Sequence, residues 1–220
     1  MDKQIKERGI IFNAEMVRAI LDGSKTQTRR VMKVQPVLNG SFYEVFGAGW
    51  SEGIRSVPAV AGHSLPANCP FGQVGDRLWV RETFTGHYLD DDQIQDIKDG
   101  RDRAIDLFEY RADYPNGSEA AEGWTPSSQM PRWASRITLE ITDIRVERLR
   151  AISEGDAVKE GVPPAGDLLP NYPDTYLTPK GDFATAKVAF QRLWESIYGQ
   201  DGWQSNPFVW VVEFKRVEAA

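Results

Sequence analysis

The sequence predicts an α+β fold, a mixed or antiparallel sheet curled into a small barrel with helices on its flank. Three observations predict it. Strand patterns outnumber helix patterns. The helix patterns are too few and too irregularly placed for a doubly wound parallel sheet. The chain has 220 residues, which fits one domain over 1–220 with large insertions and suffices to bury a sizeable core.

Each element follows from its residues. "GIIF" reads as a short buried strand. "NAEMVRAILDG" reads as a helix, with Asn13 as N-cap, Glu15 in the first turn and Gly23 as the stop. Met16, Val17, Ile20 and Leu21 share one helical face. "KTQTRRVMKV" alternates like a strand, and its even set (Thr26, Thr28, Arg30, Met32, Val34) ends apolar. The even face is therefore expected inward, with Thr28 on it. Residues 36–75 are rich in Gly, Pro, Ser and Ala and read mostly as loop, a first insertion. "GDRLWVRETF" is a turn and a strand. Residues 86–130 are polar without sustained period, and read as a second, peripheral insertion.

"RITLEITDIRVERL" is a long strand pattern whose phase slips before Ile144, which predicts a bend or bulge. "ISEGDAVKEGV" reads as a helix capped by Ser153 and ended by Gly161. "DFATAKVAFQRLWESIYG" is the clearest helix. Its apolar stripe is Phe190, Leu193, Trp194 and Ile197, and Gly199 is its expected cap. "NPFVWVVEFKRV" closes the chain as a strand. Trp194 and Trp210 belong to strongly periodic segments and are assigned to the core.

Composition narrows the function classes. The net charge of −6 argues against bulk, sequence-independent nucleic-acid binding, which needs many phosphate contacts. It leaves room for a local basic pocket that takes a nucleoside or a short RNA. No apolar run approaches the roughly 20 residues of a bilayer span, so no membrane partner is expected. The start "MDKQIKERGIIF" is charged and lacks the apolar stretch of a signal peptide. A single cysteine, Cys69, fits a reducing cytoplasm. Cys69, His63 and His87 match no common metal spacing, and neither metal nor cofactor is expected.

Chemistry concentrates in "DGSKTQTRR". A lysine beside a hydroxyl is a workable base and nucleophile, since a desolvated lysine can shed its proton near neutral pH. Lys25 and Thr28 differ in strand parity, so they converge only if the chain is still turning after Gly23. The plainer account is a helix end stabilised by lysine, then a strand with surface arginines. Glu160 stands at a helix C-terminus, where the helix dipole disfavours a carboxylate. Glu82 follows the apolar strand "LWVRETF". Trp124 and Trp133 flank the second insertion and are candidates for a ligand wall.

Taken together, "FNAEMVRAILDGSKTQTRR", "CPFGQVGDRLWVRETF", "MPRWASRITLEITDIRVERLRAISEGDAVKEGV" and "NPFVWVVEFKRV" resemble the ASCH family, a branch of the PUA-like fold, in its longer, phage-associated form. The resemblance implies a small mixed β-barrel with flanking helices and a cleft for RNA or a nucleoside. Some bacterial members are N4-acetylcytidine amidohydrolases that use a lysine, a threonine and a glutamate, and are much shorter chains. Their motif places those roles on Lys25, Thr28 and Glu160. Thr26, Arg30, Glu82, Trp124, Trp133 and Arg136 are the expected substrate contacts. Arg29 and Arg30 have opposite parity, and Arg30 is the one expected in the pocket. Another member is a ribonuclease. Three readings follow: a nucleoside amidohydrolase, a non-catalytic RNA-binding module using Lys25, Arg30, Arg132 and Arg136 on phosphate, and a metal-independent ribonuclease.

Overall fold

The computed structural model describes residues 4–46, 54–60, 63–85, 89–120 and 123–217. Along the chain the elements are β1 (Glu7–Ile11), α1 (Ala14–Leu21), β2 (Gln27–Val31), β3 (Val37–Asn39), β4 (Phe42–Phe46), β5 (Ile54–Pro58), β6 (Arg77–Arg81), β7 (Phe84–Thr85), α2 (Asp91–Lys98), α3 (Ala104–Leu107) and β8 (Glu109–Tyr110). They continue with β9 (Thr138–Arg148), α4 (Glu154–Lys159), β10 (Tyr176–Leu177), β11 (Phe183–Ala184), α5 (Ala186–Gln204) and β12 (Phe208–Val217). The fold is mixed α+β. None of the sheets among the described residues forms a closed barrel. No helix among them is long and apolar enough to cross a membrane.

The chain forms two compact units. The first comprises Met1–Gly23, Gly75–Ile141 and Lys215–Ala220; the second comprises Ser24–Val74 and Thr142–Phe214.

In the first unit β1 runs parallel to β6, Ile10 opposite Val80, and β6 runs antiparallel to the start of β9, Leu78 opposite Leu139. All four of these side chains are buried. Gly9 faces Trp79 so closely that a Cβ there would stand 2.9 Å from the indole, which explains a glycine inside a strand. Asn13 caps α1 as expected, its Oδ1 accepting from the Met16 amide at 2.8 Å.

Within 86–130, the described residues hold more regular structure than their polarity predicts. They supply α2, α3 and β8, and β8 pairs with β7. Ile97, Phe108, Tyr110 and Met130 pack with Phe84 and Ala134 in a small core of their own. The elements are short, and α2 buries only Ile97, so no period lasts long enough to be read in sequence.

In the second unit the strand order is β9, β12, β2, with β12 antiparallel to β2. α4 and α5 pack there around Leu149, Phe190, Trp194, Val209 and Val211. The phase slip in β9 is real: Thr142 and Asp143 are both exposed before buried Ile144. In α5, Gly199 leaves helical geometry at φ 76° and ψ 167°, so it ends the first helical stretch as expected, and a second stretch resumes to Gln204. Ile197, expected on the apolar stripe, is exposed, because the buried stripe ends at Trp194.

Residues 36–75, expected as loop, hold a three-stranded antiparallel sheet, β3-β4-β5, over a core of Val45, Val57 and Leu65. The two-residue turn Gly40-Ser41, with Asn39 opposite Phe42 and Gly40 at φ 57°, is the hairpin signal that the glycine and serine content obscured.

Trp194 and Trp210 are both 3% exposed. Truncating either to alanine is expected to cost about 3–5 kcal/mol. Trp194→Phe should cost much less. It keeps an aromatic ring and removes an indole N–H that finds no acceptor among the described residues. Equilibrium denaturation tests this, and a change within roughly 0.5 kcal/mol for the alanine variants would contradict a core role.

Candidate functional site

In the second unit, the residues after Ser24 are pinned by backbone before any side chain acts. The Thr26 amide donates to the Lys159 carbonyl at 2.9 Å, and the Phe214 amide donates to the Thr26 carbonyl at 2.9 Å. Lys25 thereby bridges Glu160 in antiparallel register. Glu160 is the C-cap of α4, and the turn is completed by Gly161 at φ 82°. A side chain at that glycine would be strained by its backbone alone.

Lys25 does two things with one ammonium. Its Nζ donates to the Glu160 backbone carbonyl at 2.8 Å and to Glu160 Oε2 at 3.1 Å. The first bond satisfies a carbonyl left open at the helix end, and the second pairs the charge. The lysine thus caps α4, not the helix that precedes it in sequence. The other carboxylate oxygen, Oε1, accepts from Arg29 Nη1 at 3.0 Å and from Gln27 Nε2 at 3.3 Å. Lys25, Gln27, Arg29 and Glu160 are each at most 4% exposed.

Behind this group stands a second layer. Arg29 Nη2 donates to Glu147 Oε2 at 3.1 Å and to Asp156 Oδ2 at 3.4 Å, and its guanidinium lies 5.9 Å from the Phe190 ring centroid. Arg145 ties Glu147, Asp156, Glu213 and the Gln27 side-chain oxygen together. Lys159 adds a contact to Glu213 at 3.4 Å.

Burial holds the Lys25 pKa below its ordinary value, because a dry site disfavours the ammonium. The Glu160 carboxylate opposes that shift, and the charges of Arg30 and Arg29 add to it.

The structure brings together Lys25 and Glu160 among the expected catalytic residues. Thr28 is 2% exposed and registers with Val212, one step out of phase with Gln27 and Arg29. By strand parity its hydroxyl lies on the face of β2 opposite the one that carries Gln27 and Arg29. The expectation that the even face alone points inward is corrected: Gln27 and Arg29 are as buried as Thr28. Arg29, and not the expected Arg30, grips the carboxylate. Arg30 is half-buried opposite Trp210, and Thr26 is exposed. Parity was the available signal, since residues 25, 27 and 29 share it with one another, as Arg145 and Glu147 do in β9.

The remaining expected contacts lie in the first unit. Arg136 holds Glu82 through two bonds, Nε to Oε1 at 2.9 Å and Nη2 to Oε2 at 3.0 Å. It holds Asp113 through two more, at 2.8 and 2.9 Å, and its guanidinium lies 4.0 Å from the Tyr110 ring centroid. Burial raises the Glu82 pKa, and Arg136 opposes the shift. This arginine's donors are taken up by two carboxylates, so it serves the fold of the unit. Trp133 packs on the local core near Phe108. Trp124 donates to the Ser118 carbonyl at 3.1 Å, beside Tyr114. Both tryptophans are part-buried wall residues of that unit. His87 lies outside the described residues.

Two stability measurements follow. A lysine with a lowered folded pKa makes stability rise with pH, from that lowered value up to 10.5, because there the unfolded chain binds a proton that the folded chain has released. Subtracting Lys25→Met from the parent in pH-dependent denaturation should reveal that rise; a flat difference would show an unshifted lysine. Arg136→Met should cost about 3–5 kcal/mol, because it strands the buried Glu82 carboxylate.

No protein-family model, no curated protein and no solved structure matches this chain.

Proposed function

We propose that this protein is an amidohydrolase of the ASCH, PUA-like type acting on an acylated nucleoside such as N4-acetylcytidine, with Lys25 and Glu160 as its acid–base pair. The observation that carries this reading is the buried Lys25–Glu160 contact, with a lysine pKa depressed by burial. A lysine that releases its proton is a general base without any metal, and the carboxylate beside it can relay a proton. The resemblance of "GSKTQTRR" and "ISEGDAVKEGV" to the amidohydrolase pattern supplies the substrate class.

In this reading a hydroxyl adds to the acetyl carbonyl carbon, and neutral Lys25 takes its proton. The carbon–N4 bond then breaks, and the pair returns the proton to the leaving amine. With water as the source of that hydroxyl the products are cytidine and acetate; with Thr28 the acetyl group is first left as an ester on its Oγ, and a water deprotonated by Lys25 then hydrolyses that ester to release acetate. Two groups can supply the hydroxyl. The resemblance assigns it to Thr28. The parity of β2 favours water, because the Thr28 side chain and Arg29, which grips Glu160, occupy opposite faces.

The reading of the chain as an RNA-binding module or ribonuclease draws less support. Arg136 is bound to Glu82 and Asp113, and Arg132 to Glu7. The acidic balance also counts against extended phosphate contacts.

The test is incubation with N4-acetylcytidine and chromatographic detection of cytidine. Lys25→Arg and Glu160→Gln should each lower turnover by about 10²–10⁴-fold, the usual worth of a general acid or base. Arginine keeps the charge and cannot serve as a base. If Lys25→Arg turns over as fast as the parent, lysine is only a positive charge and the base assignment fails. Turnover should rise with pH through the lowered Lys25 pKa and then level off. Thr28→Val separates the nucleophiles: loss of turnover assigns Thr28, and retention assigns water.

A further inference from the structure

Arg29 stands out among the buried groups that the proposed chemistry leaves unused. It is 3% exposed, and its guanidinium contacts three carboxylates. A buried guanidinium is costly unless its donors are met, and here the acceptors are arranged in two sets. Glu147 and Asp156 hold Nη2 from one side, while Nη1 points to Glu160 Oε1. The Phe190 ring lies 5.9 Å from the same guanidinium.

We infer that Arg29 is the positioning residue of this site: anchored by Glu147 and Asp156, it takes one oxygen of Glu160 and leaves the other to Lys25. The inference rests on the amidohydrolase reading for its catalytic meaning and on the contacts alone for its geometry.

The division of the carboxylate is the key. Glu160 Oε1 is occupied by Arg29 and Gln27, and Oε2 by Lys25. With Arg29 present, the carboxylate's charge is shared between two cations. Without it, the whole charge falls on Lys25, which holds its proton more tightly and serves less well as a base. The charged groups around Lys25 are Glu160 at the end of α4 and Arg29 and Arg30 on β2. Glu147 on β9 and Asp156 on α4 contact Arg29, Arg145 on β9 contacts the Gln27 side chain, and Glu213 on β12 contacts Arg145 and Lys159. Arg29 is therefore a device that keeps the carboxylate from locking a proton on the buried lysine.

This predicts shifts of opposite sign from two variants. Arg29→Gln removes the positive charge and keeps a side-chain N–H donor. The alkaline rise of the turnover–pH profile should move to higher pH, with turnover on that limb at least about tenfold lower for each pH unit moved. Glu147→Gln leaves Arg29 in place and removes part of its counter-charge. Glu147 is 25% exposed, so that variant should fold, and the same limb should move to lower pH. Arg29→Lys retains the charge and should shift the limb less than Arg29→Gln.

The Lys25 titration is followed in parallel by 15N NMR of side-chain-labelled lysine, assigned by loss of the signal in Lys25→Met. That readout needs no turnover. If the parent protein does not hydrolyse N4-acetylcytidine, but Lys25 titrates higher in Arg29→Gln and lower in Glu147→Gln, the amidohydrolase reading fails and the role of Arg29 stands. If the parent hydrolyses the substrate and neither variant moves Lys25, the role of Arg29 is overturned alone. If Arg29→Gln does not fold, the Glu147→Gln shift decides: an unmoved Lys25 there overturns the inference.

Discussion

The second unit turns on a carboxylate in an unfavourable place. Glu160 closes α4, at the end where the helix presents its negative pole, and it is 4% exposed. Neither the helix dipole nor solvent helps it. What makes the position tenable is a set of donors on one face of β2: Lys25, Gln27 and Arg29. The local fold follows from that need. β2 must run with its odd residues toward α4, the turn at Gly161 must bring the carboxylate back, and β9 must supply Glu147 to balance Arg29. A carboxylate and a lysine buried at such cost are poor sources of stability.

Much of this was legible in the sequence, and the failures have particular causes. Asn13, Ser153 and Gly161 announced their caps because capping depends on a few local atoms. The long pattern of β9, with its slip before Ile144, was legible for the same reason that strands alternate. The inward face of β2 was misjudged because apolar Met32 and Val34 set the apparent phase. The polar odd face is buried by ion pairing, which hydropathy cannot register. The sheet at β3-β4-β5 went unseen among its glycines and serines, and the small core around Phe108 and Tyr110 because α3 and β8 are only a few residues long.

The site residues divide along the same line. Lys25 and Glu160, which the resemblance pairs, meet in the structure. Gln27, Arg29, Arg145 and Asp156 were missed, since each gains meaning only from partners far along the chain. Glu82 and Arg136, expected as substrate contacts, are buried charges as well, but they bind one another. Burial of a charged residue is a signal of importance, and its partners decide whether that importance is structural or chemical.

The distance along the chain between Lys25 and Glu160 has a consequence for biogenesis. Their contact joins positions 135 apart, and β2 finds its hydrogen-bonding partner only in the final strand, β12. A ribosome adding about 5–20 residues per second needs roughly 7–27 s to span the shorter of those gaps. Throughout that interval Gln27, Arg29 and the apolar residues after them emerge with no strand to receive them. A nascent chain stalled before residue 208 lacks the strand that pairs with β2. Contacts of such range close slowly, because loop entropy is lost before any bond repays it.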